Sequence, residues 1–132
     1  MKLLVDTHIL LWLHTEPERL CEHLSAAEDR SNELLVSAVC SWEIAIKYAL
    51  GRLPLPEPPQ RYVPSLIRTI GAVALPIEHS HALAIAALPQ LHRDPFDRLL
   101  VAQASLLDVP ILTADPAIAR YPVRTLLVGG NG

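Results

Sequence analysis

Lys2-Leu3-Leu4-Val5-Asp6-Thr7 is a short, almost wholly apolar run that stops at an acid. An apolar run without polar alternation is how a strand buried on both faces reads, and such strands belong to parallel sheets covered by helices. Asp6-Thr7 then opens a helix. Working outward, Leu34-Leu35-Val36-Ser37, Ala72 to Ile77, Val109 to Leu112 and Val123 to Val128 read as further strands. Helical spacing fills the gaps: Leu20, Cys21, Leu24 and Ala27 after Glu16-Pro17-Glu18, then Ser41 to Ala49 with Ser41 as N-cap and Gly51 as the residue just past its end. Tyr62 to Ile70 closes at Gly71, and Ser80 to Leu88, Pro95 to Leu107 and a turn from Pro116 to Arg120 follow. Leu53 to Pro59 is too rich in proline for a helix or central strand and reads as an extended connector. Strands alternating with helices over the whole length predict an α/β fold, a three-layer α/β/α sandwich with a mostly parallel central sheet and right-handed crossovers.

The chain has 132 residues, the size of one hydrophobic core, so a single domain over 1–132 is expected. Hydrophobic residues make up 51% and charged residues 19%, enough apolar side chain to order a globular core, which excludes disorder and fibrous repeats. The longest apolar stretches, such as Ile9 to Leu13, fall far below the roughly 20 residues that span a bilayer. No apolar run ending in a small-residue cleavage site follows Met1, so no signal peptide and a cytoplasmic location are expected. Cys21 and Cys40, in apolar contexts, fit buried thiols of a reducing compartment rather than a disulfide or a zinc site. The formal net charge of −3 gives no whole-molecule attraction to nucleic acid, so any such binding must be local.

In parallel sheets chemistry gathers at the carboxyl ends of strands, and acids fall there. Asp6 directly follows the first strand, and Asp115 follows Val109 to Leu112 with only Thr113-Ala114 between. Glu43 lies in the first turn of the helix after Leu34 to Ser37, and Asp94 and Asp97 flank Pro95-Phe96 at the start of the apolar helix. Each acid also has a plainer reading. Asp6, and Asp115 before Pro116, suit N-caps. Glu43 with Lys47, Asp94 with Arg98, and Arg93 with Asp97 suit i,i+4 ion pairs on a solvated face. Yet Glu43 lies between Trp42 and Ile44, and Asp97 beside Phe96 and Leu99, so these acids border apolar surface. Carboxylates crowded at a buried edge need a cation to balance them. Oxygen-only ligation suits Mg²⁺ or Mn²⁺, and the chemistry that follows is phosphodiester hydrolysis by a metal-activated water.

The stretches Leu4-Val5-Asp6-Thr7-His8-Ile9-Leu10-Leu11-Trp12, Ser41-Trp42-Glu43-Ile44-Ala45-Ile46-Lys47, Arg93-Asp94-Pro95-Phe96-Asp97-Arg98-Leu99-Leu100-Val101-Ala102-Gln103-Ala104 and Leu112-Thr113-Ala114-Asp115 together resemble the PIN-domain family. Within it they resemble the VapC-type ribonuclease toxins of toxin–antitoxin pairs, over essentially the whole chain and in the right order. The resemblance implies a metal-dependent endoribonuclease acting on cellular RNA, with an acidic quartet at Asp6, Glu43, Asp97 and Asp115 and with Asp94 as an additional acid. It gives Asp6 and Asp97 the direct contacts to Mg²⁺ or Mn²⁺, and Glu43 and Asp115 roles through water or a second ion. Which of Asp94 and Asp97 points inward is left open. Thr7, Ser41 and Thr113 sit beside the acids and either orient carboxylates or water, or cap helices. Arg93 and Arg98 either meet the RNA backbone or pair with neighbouring aspartates. The resemblance further implies a homodimer and a small VapB-type antitoxin laid across the active site, for which Trp12, Leu13, Trp42 and Tyr48 either supply apolar surface or belong to the core.

The six histidines are scattered without metal-motif spacing and read as surface or polar-core residues. Two other classes compete. A non-catalytic binding module would keep the fold but need not keep every acid. A Mg²⁺-dependent phosphatase would want an acid where His8 stands, and a phospho-receiver would want a lysine late in the chain, whereas none follows Lys47.

Overall fold

In the computed structural model, which describes residues 1–129, the apolar run at the start is the central strand β1 (Lys2–Val5). It joins β2 (Glu33–Ser37), β3 (Val73–Leu75), β4 (Ile111–Thr113) and β5 (Thr125–Leu127) in one sheet of order β3-β2-β1-β4-β5, every pairing parallel. Leu4 pairs with Leu35 on one side and Ile111 on the other, and Val5 pairs with Leu112. Leu3, Leu4, Val5, Ile111 and Leu112 have no solvent exposure, as a strand covered on both faces requires.

The connections are α1 (Thr7–Thr15), α2 (Leu24–Glu28), α3 (Ala38–Ala49), α4 (Pro59–Thr69), α5 (His79–Ala84), α6 (Pro95–Leu107) and α7 (Pro116–Ala119). Because parallel crossovers are right-handed, this strand order sets α1 to α4 against one face of the sheet and α5 to α7 against the other. The expected α/β/α sandwich is the fold found. Gly51 and Gly71 end α3 and α4 at φ of 72° and 69°, a left-handed conformation that glycine adopts without strain. Among the described residues no helix is long and apolar enough to cross a membrane.

Four local expectations fail. Helix α3 begins at Ala38, not after Ser41: the Ser37 hydroxyl accepts the Val39 N–H at 3.0 Å, so strand turns into helix with no loop between, and Ser41 lies inside the helix. Glu43 therefore stands in the second turn. The helix expected from Glu16 is a 3₁₀ turn (Pro17–His23) broken at Cys21, whose φ of 51° stops propagation, before the short α2. Cys21 is consequently exposed, and Cys40 alone is a buried thiol. Pro58 and Pro59 do not belong to an extended connector but start α4, where proline at the first helical position loses no intrahelical bond. The strands β3, β4 and β5 are also shorter than expected, and β4 is shifted to Ile111–Thr113 after Pro110.

Candidate active site

Strand order changes direction between β1 and β4: β1 leads to β2 on one side, and β4 leads to β5 on the other. In open parallel sheets the crevice beyond the strand ends at such a point is where ligands bind. Asp6 leaves β1 into that crevice and Asp115 follows β4 into it.

A string of hydrogen bonds runs along this edge. The Asp115 N–H donates to Thr113 Oγ1 at 3.0 Å, and Thr113 Oγ1 donates to Asp6 Oδ2 at 2.7 Å. The Thr7 N–H donates to Asp6 Oδ1 at 2.7 Å, and the Thr7 hydroxyl donates to Glu43 Oε1 at 2.6 Å. Glu43 Oε2 accepts from Lys47 Nζ at 2.5 Å, the expected i,i+4 pair. Asp97 stands in the first turn of α6, close enough to feel the charges of all four other acids. The T-shaped contact of Trp42 with Phe96, ring centroids 4.7 Å apart, ties α3 to the same turn.

Capping and site geometry coexist. Asp6, Asp94 and Asp115 N-cap α1, α6 and α7, Asp94 Oδ1 accepting from Phe96 N–H at 2.9 Å and Asp97 N–H at 3.1 Å, and Asp115 Oδ1 accepting from Ala117 N–H at 2.9 Å. Each carboxylate caps with one oxygen and keeps another.

The electrostatics are out of balance. Burial pushes the Asp97 carboxyl up to about 8, and the charges of Asp94, Asp6, Asp115 and Glu43 add to it. Burial also raises Asp6 above the ordinary carboxylate range, opposed by the hydrogen bonds from Thr113 and Thr7. Lys47 is raised in turn, first by its bond to Glu43 and then by the charges of Glu43, Asp94 and Asp97. One partly exposed lysine against this many acids leaves negative charge that a bound cation would neutralise. Among the described residues no three His, Cys, Asp or Glu side chains stand close enough together to hold a metal ion as they are. As a donor set the acids are oxygen-only, which is the chemistry that suits a hard divalent ion keeping several waters and taking substrate oxygens.

A family model described as "PIN domain" matches residues 3–123. The chain belongs to the PIN-domain family. Over 105 residues the PIN domain is 34% identical to "Ribonuclease VapC22" of Mycobacterium tuberculosis, covering 76% of this chain and 77% of that protein. A 60-residue stretch is 45% identical to "Ribonuclease VapC16" of the same organism, where the match spans less than half of either protein, 46% and 43%. Among solved structures it superposes on VapBC2 from Rickettsia felis bound to a DNA fragment from their promoter, with TM-score 0.73 and 14% identity over 96% of this chain and 98% of that one. DNA-bound VapBC from Salmonella typhimurium gives TM-score 0.65 and 18% identity over 96% and 97%. At these identities the two structures establish the fold.

Within the PIN domain, Asp6, Glu43, Asp94, Asp97, Asp115, Thr7 and Thr113 lie along the same sheet edge. Ser41 does not: from inside α3 it lines an apolar groove with Ala45, Tyr48, Pro59 and Val63. Arg98 is not a backbone-binding arginine either. It is buried, and its guanidinium donates to the Pro89 carbonyl at 2.8 Å, the Tyr121 hydroxyl at 3.2 Å and the Ile85 carbonyl at 3.4 Å. Neither expected ion pair, Asp94 with Arg98 or Arg93 with Asp97, forms among the described residues, and Arg93 stays exposed. Trp42 and Tyr48 are exposed rather than core, while Trp12 and Leu13 pack partly against the core. His92, set aside with the other histidines, contacts Asp97 Oδ2 at 3.2 Å and Tyr121 Oη at 2.7 Å. Its nearness to Asp97 in sequence was the only signal; Tyr121, 29 residues away, left none.

Proposed function

We propose that this PIN-domain protein is a metal-dependent endoribonuclease and the toxin of a VapBC-type pair. The observation that carries the reading is the gathering of Asp6, Glu43, Asp97 and Asp115 at one sheet edge, with Asp6 and Asp97 held above the ordinary carboxylate range. The ribonuclease names of its relatives agree with it. Asp6 and Asp97 are assigned direct contacts to Mg²⁺ or Mn²⁺, and Glu43 and Asp115 contacts through water or a second ion. Asp94, which caps α6 with one oxygen and keeps the other, is assigned a contact through water or a second ion. When bound, the metal supplies Lewis-acid polarisation of the phosphoryl oxygen and a water of lowered pKa.

The chain's own residues do the positioning. Thr113 and Thr7 hold Asp6 by both oxygens, and Thr7 turns Glu43 Oε1 toward the same edge. Lys47 holds the other Glu43 oxygen and brings a cation to the place where an RNA phosphate would lie. Exposed Arg93 is assigned to the RNA backbone beyond it. The exposed apolar side chains Trp42, Ile46, Tyr48 and Leu50 on and just after α3 support a protein partner at this end, which the reading makes a VapB-type antitoxin, with a homodimer as the working unit. Residues 1–132 are taken as one nuclease domain, of which 130–132 lie outside the described residues, and its place of action as the cytoplasm.

The test is cleavage of total cellular RNA by wild type and Asp6→Asn, each with Mg²⁺, Mn²⁺ or chelator. Asparagine keeps size and capping ability and removes the ligand charge. Discrete, metal-dependent fragments that vanish in a still-folded variant are the expected result. No cleavage by wild type with either metal, or equal cleavage in chelator, defeats the proposal.

A further inference from the structure

Three side chains on the far side of Asp97 make a second string of contacts that the proposed function leaves unused. Arg98 carries only donors, and one of them goes to Tyr121 Oη at 3.2 Å. Tyr121 is 3% exposed, so its own hydroxyl hydrogen must find an acceptor inside the protein. Among the described residues that acceptor is His92 Nδ1, 2.7 Å away. Nδ1 therefore presents its lone pair, the ring hydrogen sits on Nε2, and Nε2–H donates to Asp97 Oδ2 at 3.2 Å. Asp97 Oδ1 has no protein donor among the described residues.

We propose that Arg98, Tyr121 and His92 are positioning residues that fix the tautomer of His92 and, through it, aim Asp97 Oδ1 at the metal. The inference rests on the nuclease reading above and extends it. A ligating carboxylate that can rotate loses part of its affinity to that freedom, and a partner holding its second oxygen removes the freedom before the ion arrives. The relay also has a mechanical footing. Arg98 clamps the carbonyls of Ile85 and Pro89 onto α6, and Tyr121 directly follows the turn that Asp115 caps. Asp97 and Asp115, from separate segments, are thus referred to one buried guanidinium.

The experiment compares full-length wild type, His92→Phe, His92→Gln and Tyr121→Phe. In metal-free protein the ¹⁵N shifts of the His92 ring should show hydrogen on Nε2 in wild type, with Tyr121→Phe releasing a mixture of tautomers. Mn²⁺ affinity, read by electron paramagnetic resonance, should fall roughly 10- to 100-fold in His92→Phe. It should fall in the same direction in Tyr121→Phe, and recover in His92→Gln, whose amide can both accept from Tyr121 and donate to Asp97. Near-UV circular dichroism checks folding. Hydrogen on Nδ1 in wild type overturns the relay, as does a folded His92→Phe with wild-type affinity. If His92→Phe does not fold, Tyr121→Phe decides: unchanged tautomer and unchanged affinity overturn it. Wild type that binds no Mn²⁺ brings down the nuclease reading together with the relay's role, whereas failure confined to the variants brings down the relay alone.

Discussion

Thr113→Val removes one buried hydroxyl from the centre of the site and leaves a side chain of nearly the same shape. The hydroxyl makes two bonds, donating to Asp6 Oδ2 at 2.7 Å and accepting the Asp115 N–H at 3.0 Å, and Thr113 has no solvent exposure. A hydrogen bond to a charged group contributes about 1.5–3 kcal/mol and one between neutral groups about 1 kcal/mol, so the variant should lose about 2–4 kcal/mol. With a urea slope of about 2 kcal/mol per molar, the middle of the range for a small protein, the unfolding midpoint should drop by about 1–2 M. The bond from Thr113 favours ionised Asp6 and lowers its pKa, so the gap between variant and wild type should be widest where Asp6 is ionised. It should narrow as pH falls and Asp6 takes up its proton. The assay is equilibrium urea unfolding followed by far-UV circular dichroism at two pH values, with Thr113→Ser as the variant that restores the hydroxyl. A midpoint unchanged at both pH values, or a gap that widens toward acid, would refute the reasoning.

Three other outcomes follow from the same geometry. Burial and the neighbouring acids hold the Asp97 carboxyl at about 8 when folded against an ordinary 3.8, so between those values the folded chain binds more protons than the unfolded one. Metal-free stability should therefore fall as pH rises through that window, and Mg²⁺ should raise Tm more at the alkaline end; a metal effect independent of pH, in differential scanning calorimetry, contradicts this. Arg98→Leu should cost about 2–4 kcal/mol by leaving two carbonyls and a hydroxyl short of a donor, yet leave the salt slope of RNA binding by catalytically inactive Asp6→Asn protein unchanged, which fluorescence anisotropy reads. Gln103→Leu removes the buried amide that accepts from the Ser37 hydroxyl and donates to the Pro76 carbonyl, and chemical denaturation should show a loss of about 1–3 kcal/mol.

The sequence carried the sheet because each central strand announces itself within a few residues. Leu3 to Val5 and Ile111 to Leu112 are apolar without alternation, and the acid after each is visible by eye. Gly51 and Gly71 were legible for a similar reason, since a left-handed residue after a helix is a local demand. Ser37 was not, because strand and helix meet there without turn residues and Ala38 to Cys40 continue the apolar run. The direct partners of the acids were half legible. Thr7 and Thr113 neighbour Asp6 and Asp115 in the chain, but whether a hydroxyl caps a helix or holds a carboxylate depends on what faces it. Arg98 shows the limit best. Four residues after Asp94 it suggests an ion pair or a phosphate contact, and its partners, 9 to 23 residues away, are carbonyls and a phenol that no spacing rule connects to it.

The place of β1 in the strand order bears on how the chain is made. β1 is made well before its neighbour β4, which begins only at Ile111, and the bond from Thr113 to Asp6 spans 107 positions. Until β4 is made, one edge of β1 has nothing to pair with, and Asp6 lacks both Thr113 and Asp115. A nascent chain synthesised at about 5–20 residues per second therefore spends several seconds tethered without an assembled acidic edge. For a protein proposed to cut RNA, the topology keeps the acidic edge apart until β4 and the residues just after it have been made.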